Sequence, residues 1–261
     1  MEYVNNNENS LKSKNIFRIG LYYCLAVGLS ASFRLGNFNW YANMSLPFGL
    51  TAFVKTFLEG SGPFIGGLLC MALSPKKGLI TFLGSIPKRS LLMMAFPVVL
   101  FACFGCKNTL GLNMHYYGFV IGLSIVVYGI LEEFGWRGYL LNEVYDLKPS
   151  HKVLIISLLW YVWHLSFLDK DTTVFNEMRF FSIIVFATWG IGAIAERTRS
   201  VVACACFHAL GNILFLSTLV SDAVDNQTRY TIFGICLLAW MVIVNTWKRV
   251  EPNPEPAMLN S

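Results

Sequence analysis

The chain reads as a series of apolar runs joined by short polar links. The first run covers 16–33. The second apolar region, 45–73, carries Lys55 and Glu59 and is interrupted at Gly60-Ser-Gly-Pro63. That pattern fits either one kinked span or an interfacial amphipathic helix followed by a short span. A short piece at 78–86, bracketed by Lys76, Lys77, Lys88 and Arg89, is too short to cross a bilayer. Further runs follow at 91–106, 115–141, 153–168, 180–195, 201–220 and 230–247. The lengths are those of membrane-crossing helices, so the pattern predicts an all-α polytopic transmembrane bundle of about eight spans. The stretch 200–217 is rich in small residues (Ala203, Ala205, Ala209, Gly211) that allow helices to approach closely. No repeat, strand pattern or Gly-rich phosphate loop stands out.

Charge orients the runs. By alternation, Lys12, Lys14, Arg18, the cluster at 76–89, Lys148, Lys152, Arg197, Arg199, Lys248 and Arg249 fall on one side. Asp169, Asp171, Glu177, Asp222 and Asp225 fall on the other. The excess of Lys and Arg on one side predicts a multi-pass protein of the cell membrane with both termini cytoplasmic. The polar start, 1–15, is too long and Asn-rich for a signal peptide's basic region and is expected to be a disordered cytoplasmic tail. Residues 16–247 form one transmembrane domain, and 248–261 a second cytoplasmic tail. Composition agrees: of 261 residues, 55% are hydrophobic and 13% charged, with a mean hydropathy of +0.55. Soluble domains carry about 25% charged residues. The net charge of +5 is spread over short links, so it speaks for topology and a lipid partner, not for nucleic acid. Seven cysteines are scattered, mostly within apolar runs. The Cys103–Cys106 pair has no matching second pair and reads as packing rather than redox or metal chemistry.

Against this apolar background, polar side chains inside the runs stand out, because ionisable groups in a membrane usually mark function. Glu132, Glu133 and Arg137 lie in LEEFGWRGYL at 131–140, directly after a run without acid, lysine or arginine. On a helix Glu133 and Arg137 are i and i+4 and can pair. Glu132 points about 100° away and is left to handle protons. A second intrusion is Trp160 with His164, one turn apart, and a third is His208 with Asn212 at the same spacing. Counted from the basic links, Glu132, His164 and His208 sit at comparable depths, roughly 14–20 Å in. That favours one shared pocket opening to the cytoplasmic side over three unrelated hydrogen bonds. A glutamate with two histidines and an asparagine suits hydrolysis: a base for water, an orienting histidine and oxyanion donors. The same Glu132, His164 and His208 also make a candidate zinc set, although no HExxH is present. No serine stands with an obvious base.

Together these motifs resemble the CPBP family of intramembrane proteases (CAAX proteases and bacteriocin-processing enzymes, also called Abi). The family's EExxxR is matched by Glu132, Glu133 and Arg137. Its FxxxH is matched by Trp160 and His164, with Trp in place of Phe, and its HxxxN by His208 and Asn212. The resemblance covers a core of about 116–215. It implies a helical bundle with a polar cavity open to the cytoplasm and a glutamate-dependent endopeptidase. Glu132 and His164 would activate water, His208 and Asn212 would hold the oxyanion, and Glu133, Arg137 and Trp160 would support the site. Whether a divalent metal such as zinc makes it a metalloprotease is left open by the residues. The implied partner is a membrane-associated peptide or protein substrate. The alternative is a non-catalytic immunity or scaffold protein of the same family, using the pocket for binding. A transporter fits less well, because no inverted repeat is visible.

Overall fold

The computed structural model of the chain describes residues 2–34, 44–73, 78–165, 172–216 and 218–248. It is 83% helix and has no strand among these residues. The helices are α1 (Glu2–Arg34), α2 (Leu50–Leu73), α3 (Pro87–Phe104), α4 (Met114–Glu133), α5 (Leu141–Glu143), α6 (Pro149–His164), α7 (Val174–Thr198), α8 (Val201–Gly211), α9 (Thr218–Ala223) and α10 (Asn226–Asn245). Two π-helical segments extend α4 and α8: Phe134–Leu140 and Asn212–Leu216. Among the described residues, six helices are long and apolar enough to cross a membrane: Ile16–Arg34, Pro47–Leu73, Pro87–Phe104, Met114–Glu143, Val174–Thr198 and Asn226–Asn245. The expected spans at 153–168 and 201–220 fall on shorter helices, α6 of 16 residues and the apolar stretch Val201–Phe215. Lys76, Lys77, Asp169, Asp171 and the expected C-terminal tail from 249 onward lie outside the described residues.

Three expectations meet a definite outcome here. The irregular second region is one continuous helix, α2, entered through a 3-10 turn at Pro47–Gly49 and running through Pro63. The polar start, expected to be disordered, is helical backbone from Glu2; lengthening a formed helix costs far less than starting one. The short piece at 78–86 docks as non-helical chain on the turn between α7 and α8. Thr81 N donates to Arg199 O (2.8 Å) and Val201 N to Thr81 O (3.0 Å).

Side-chain caps fix where the later helices begin. Asn113 accepts from the backbone N–H of His115 and Tyr116 at the start of α4. Thr173, Ser200 and Asp225 cap α7, α8 and α10 in the same way. Two apolar clusters then form. One joins α3, α4, α8 and α10 around Met93, Ile121, Cys206 and Trp240. The other joins α1, the π-segment after α4, α6 and α7 around Tyr22, Trp136, Trp163 and Ile191. Close approach is secured at two glycines. A Cβ at Gly129 would meet the backbone of Ala205 in α8, and one at Gly135 would meet Pro63 O and the Tyr22 hydroxyl. Those contacts set α8 and the α1–α2 pair against the segment that carries both glutamates.

Candidate active site

The polar residues singled out in the sequence converge between the two clusters. Glu132 and Glu133 close α4 and are completely buried, and Arg137, one turn later in the π-segment, is 1% exposed. Trp160 and His164 come from the end of α6, His208 from α8, and all three are buried. Arg137 Nη1 lies 2.8 Å from Glu133 Oε1, the expected i,i+4 pair. Glu132 is not simply free: its Oε2 accepts from Trp160 Nε1 at 3.0 Å. Its Oε1 has no hydrogen-bond partner among the described residues.

His208 bridges the two acids. Its Nδ1 is 2.8 Å from Glu133 Oε1, and its Nε2 is 3.9 Å from Glu132 Oε1. Spacing along the chain could not show this, because the contact depends on how α8 is rotated against α4. A carboxylate oxygen only accepts, so the Nδ1 of His208 carries a proton. His164 Nδ1 is 2.8 Å from Trp160 O, one turn back on its own helix. A carbonyl also only accepts, so that nitrogen donates, and the Nε2 of a neutral His164 presents its lone pair. The rings of His164 and His208 stand 5.5 and 5.4 Å from that of Trp160, centroid to centroid, so this indole separates and aligns them. Asn212 follows His208 by one turn, at the first residue of the second π-segment, and is buried. No hydrogen bond joins its side chain to either glutamate among the described residues. Each motif thus runs into or beside a π-segment, a feature frequent at functional sites.

Residues 114–214 match a family model described as "Type II CAAX prenyl endopeptidase Rce1-like". That stretch belongs to the CAAX protease family. The CAAX protease segment contains every motif residue named above, from Glu132 to Asn212, and ends in the second π-segment. No curated protein and no solved structure matches the chain significantly.

The CAAX protease segment does not supply every wall of the site. Arg34, the last residue of α1, lies over the Trp163 ring, with Cζ 3.7 Å from the centroid. It donates to Trp163 O (3.4 Å) and to Glu59 O (3.2 Å). Arg34 escaped the sequence reading, where the first apolar run was ended at Phe33. An arginine closing an apolar run was the signal available. The candidate metal set fares differently. The Nδ1 bonds of His164 and His208 to a carbonyl and a carboxylate leave Nε2 as the possible ligand atom of each, but among the described residues no group of three His, Cys, Asp or Glu, Glu132, His164 and His208 included, is arranged to hold a metal ion.

Proposed function

We propose that this chain is an intramembrane endopeptidase that hydrolyses a peptide bond in a membrane-associated peptide or protein. One observation carries the reading. Glu132 and His164 come from different helices and meet at one tryptophan: Glu132 accepts from the Trp160 indole, and His164 donates to Trp160 O, which makes the Nε2 of His164 an acceptor. Water held between Glu132 and the Nε2 of His164 loses a proton as its oxygen attacks the substrate carbonyl. The tetrahedral oxyanion is met by the Nε2–H of His208 and the amide of Asn212. His208 can donate from Nε2 while Nδ1–H serves Glu133 only as an imidazolium. The charge balance supports that form, since two glutamates then face Arg137 and one imidazolium. Collapse of the intermediate breaks the C–N bond, and the proton taken from water passes from Glu132 to the leaving amine. Glu133 and Arg137 position His208, and Trp160 positions Glu132.

The site lies within a single eight-pass domain, 16–247, whose catalytic core is about 116–215. Its basic side faces the cytoplasm by the positive-inside bias, with a polar cavity opening to that side. Both termini are cytoplasmic, and the cell membrane is the place of action. The match to a family of endopeptidases supports the reaction class.

The test is quantitative terminal proteomics of membranes from three strains: wild type, deletion and Glu132→Gln. A new terminus present only in the wild type is the expected result, with turnover in the variant reduced by at least about 10²-fold. Full burial of both glutamates favours the second reading, a binding or immunity protein whose polar core is structural. On that reading Glu132→Gln matches the wild type while the deletion loses a partner protein.

A further inference from the structure

A cavity of about 110 Å³ opens between α6 and α7, and Glu132 is not part of its lining. Its walls are mostly apolar, but polar groups converge on it. Arg137 reaches it from the π-segment, Thr188 from α7 and Lys152 from the first turn of α6. Arg137 Nη2 and Thr188 Oγ1 are buried and have no hydrogen-bond partner among the described residues. Arg137 is 1% exposed and Thr188 2%, so neither is an ordinary surface group. Buried donors left without acceptors are costly and rare in folded proteins. Lys152 Nζ is 2.8 Å from Glu196 Oε1, the one carboxylate in the lining, and that acid is half-exposed. Its charge is therefore offset by Lys152, and the charge of Arg137 is met by Glu133 through Nη1, so Arg137 Nη2 faces the cavity as a donor without an acceptor among the described residues. The start of α6 at Pro149 also lines it, adding the positive end of a helix of 16 residues.

We infer that this cavity binds a phosphate oxyanion, held by Arg137 Nη2, the Thr188 hydroxyl and Lys152. The donors are those that recognise phosphate, with a planar guanidinium and an ammonium together. A phosphate can come from two sources, an anionic lipid head group or free phosphate. The setting suits a lipid, because a ring of basic residues at helix ends is where head groups lie. Exposed Trp189 lines the opening with an apolar ring. The consequence for the site is direct. Arg137 Nη1 already holds Glu133, which holds His208, so an anion on Nη2 would fix the other edge of the same guanidinium.

The test uses the full chain purified in detergent. Native mass spectrometry compares retention of phosphatidylglycerol with diacylglycerol of identical acyl chains, which lacks the phosphate. Thermal unfolding in phosphate against chloride at equal ionic strength reads the free ion. Two variants leave the catalytic groups untouched. Gly192→Leu fills the opening, and its Cβ meets nothing within 4 Å. Thr188→Val removes only the hydroxyl. Wild type is expected to prefer phosphatidylglycerol by about tenfold, the worth of a hydrogen bond to a charged group. Gly192→Leu should abolish the preference and Thr188→Val weaken it. A phosphate-dependent rise in unfolding temperature without a lipid preference, lost in Gly192→Leu, identifies the free ion as occupant. Equal retention of both lipids with no effect of phosphate overturns the proposal, as does a preference that Gly192→Leu leaves intact.

Discussion

Arg34 donates to two backbone carbonyls whose places in their helices deprive them of an intrahelical donor. Pro63 has no N–H, so the carbonyl four residues earlier, that of Glu59, loses its helical partner. Trp163 O is among the last carbonyls of α6, which the helix itself cannot satisfy. The guanidinium reaches both, at 3.2 and 3.4 Å, while stacked on the Trp163 indole. It therefore ties α1 and α2 to the turn that carries His164. Lysine keeps the charge but not the planar fork. Arg34→Lys is expected to loosen the end of α6 and disturb His164 while leaving His208 in place. The chain has four histidines, so ¹⁵N-histidine NMR can follow each one. A shifted His164 signal with an unchanged His208 is the expected outcome, and Arg34→Ala should cost about 1–3 kcal/mol of stability for the orphaned carbonyls. Four unmoved histidine signals in Arg34→Lys would sink this role. The motif residues were legible in the sequence because each pair lies one helical turn apart, which fixes a shared face before any fold is known. Arg34 and the Glu133–His208 contact were not, since both depend on how separate helices are rotated against each other.

At the scale of elements, the spans were readable because apolar length is a property of the run itself. The π-segments were not: FGWRGYL and NILFL carry no composition that separates them from α-helix. Nor was the docking of 78–86, which rests on backbone bonds to residues more than a hundred positions away. Helix placement around the site turns on the meeting of Gly129 with Ala205. Gly129→Leu drives a side chain into the α8 backbone and should move His208 away from Glu133. Overpacking of this kind costs about 1–3 kcal/mol or more. Gly234→Ala on α10 is the control: its Cβ meets nothing within 4 Å, and better helix propensity makes it neutral to stabilising by up to about 1 kcal/mol. Thermal unfolding of both variants checks the pair, and equal midpoints would remove the helix-contact argument.

The start of α10 offers a pH dependence. The Asp225 carboxyl accepts from the backbone N–H and hydroxyl of Thr228, both at 2.9 Å, and these bonds hold it below the usual carboxylate range. A depressed value in the folded state means the cap contributes fully above the ordinary Asp value, about 3.9, and is lost as pH falls through the lower folded value. Amide-exchange protection factors over the first turn of α10, relative to the intrinsic rate at each pH, should therefore be steady near neutrality and fall only at acid pH. Asp225→Asn should remove that acid-dependent change, and an unchanged profile in the variant would exclude the cap as its source.

For the whole molecule, side-chain contacts say which helix ends share a level. Arg18, near the start of the membrane-crossing part of α1 (Ile16–Arg34), pairs with Glu143 at the end of α5 (3.0 Å). Arg197 at the end of α7 donates to Val244 O and Asn245 O at the end of α10 (both 2.7 Å), and Arg89 at the start of α3 donates to Ile243 O (3.0 Å). The start of the first span and the end of the last therefore lie at one basic end of the bundle. The short helix α6 runs antiparallel to the full-length α7: Lys152 meets Glu196, and the Tyr161 hydroxyl meets Glu177 (2.9 Å). Between those contacts α7 advances 19 residues and α6 nine, roughly 28 and 14 Å, the long side chains of Lys152 and Tyr161 making up the difference. If the basic end is cytoplasmic, a C-terminal green fluorescent protein will fluoresce and a C-terminal alkaline phosphatase will be inactive. Phosphatase inserted at Thr109, between α3 and α4, will be active, because α3 leaves the basic end at Arg89. The reverse pattern would place Glu132 and both histidines under the outer face, and the substrate would then have to be sought among exported peptides.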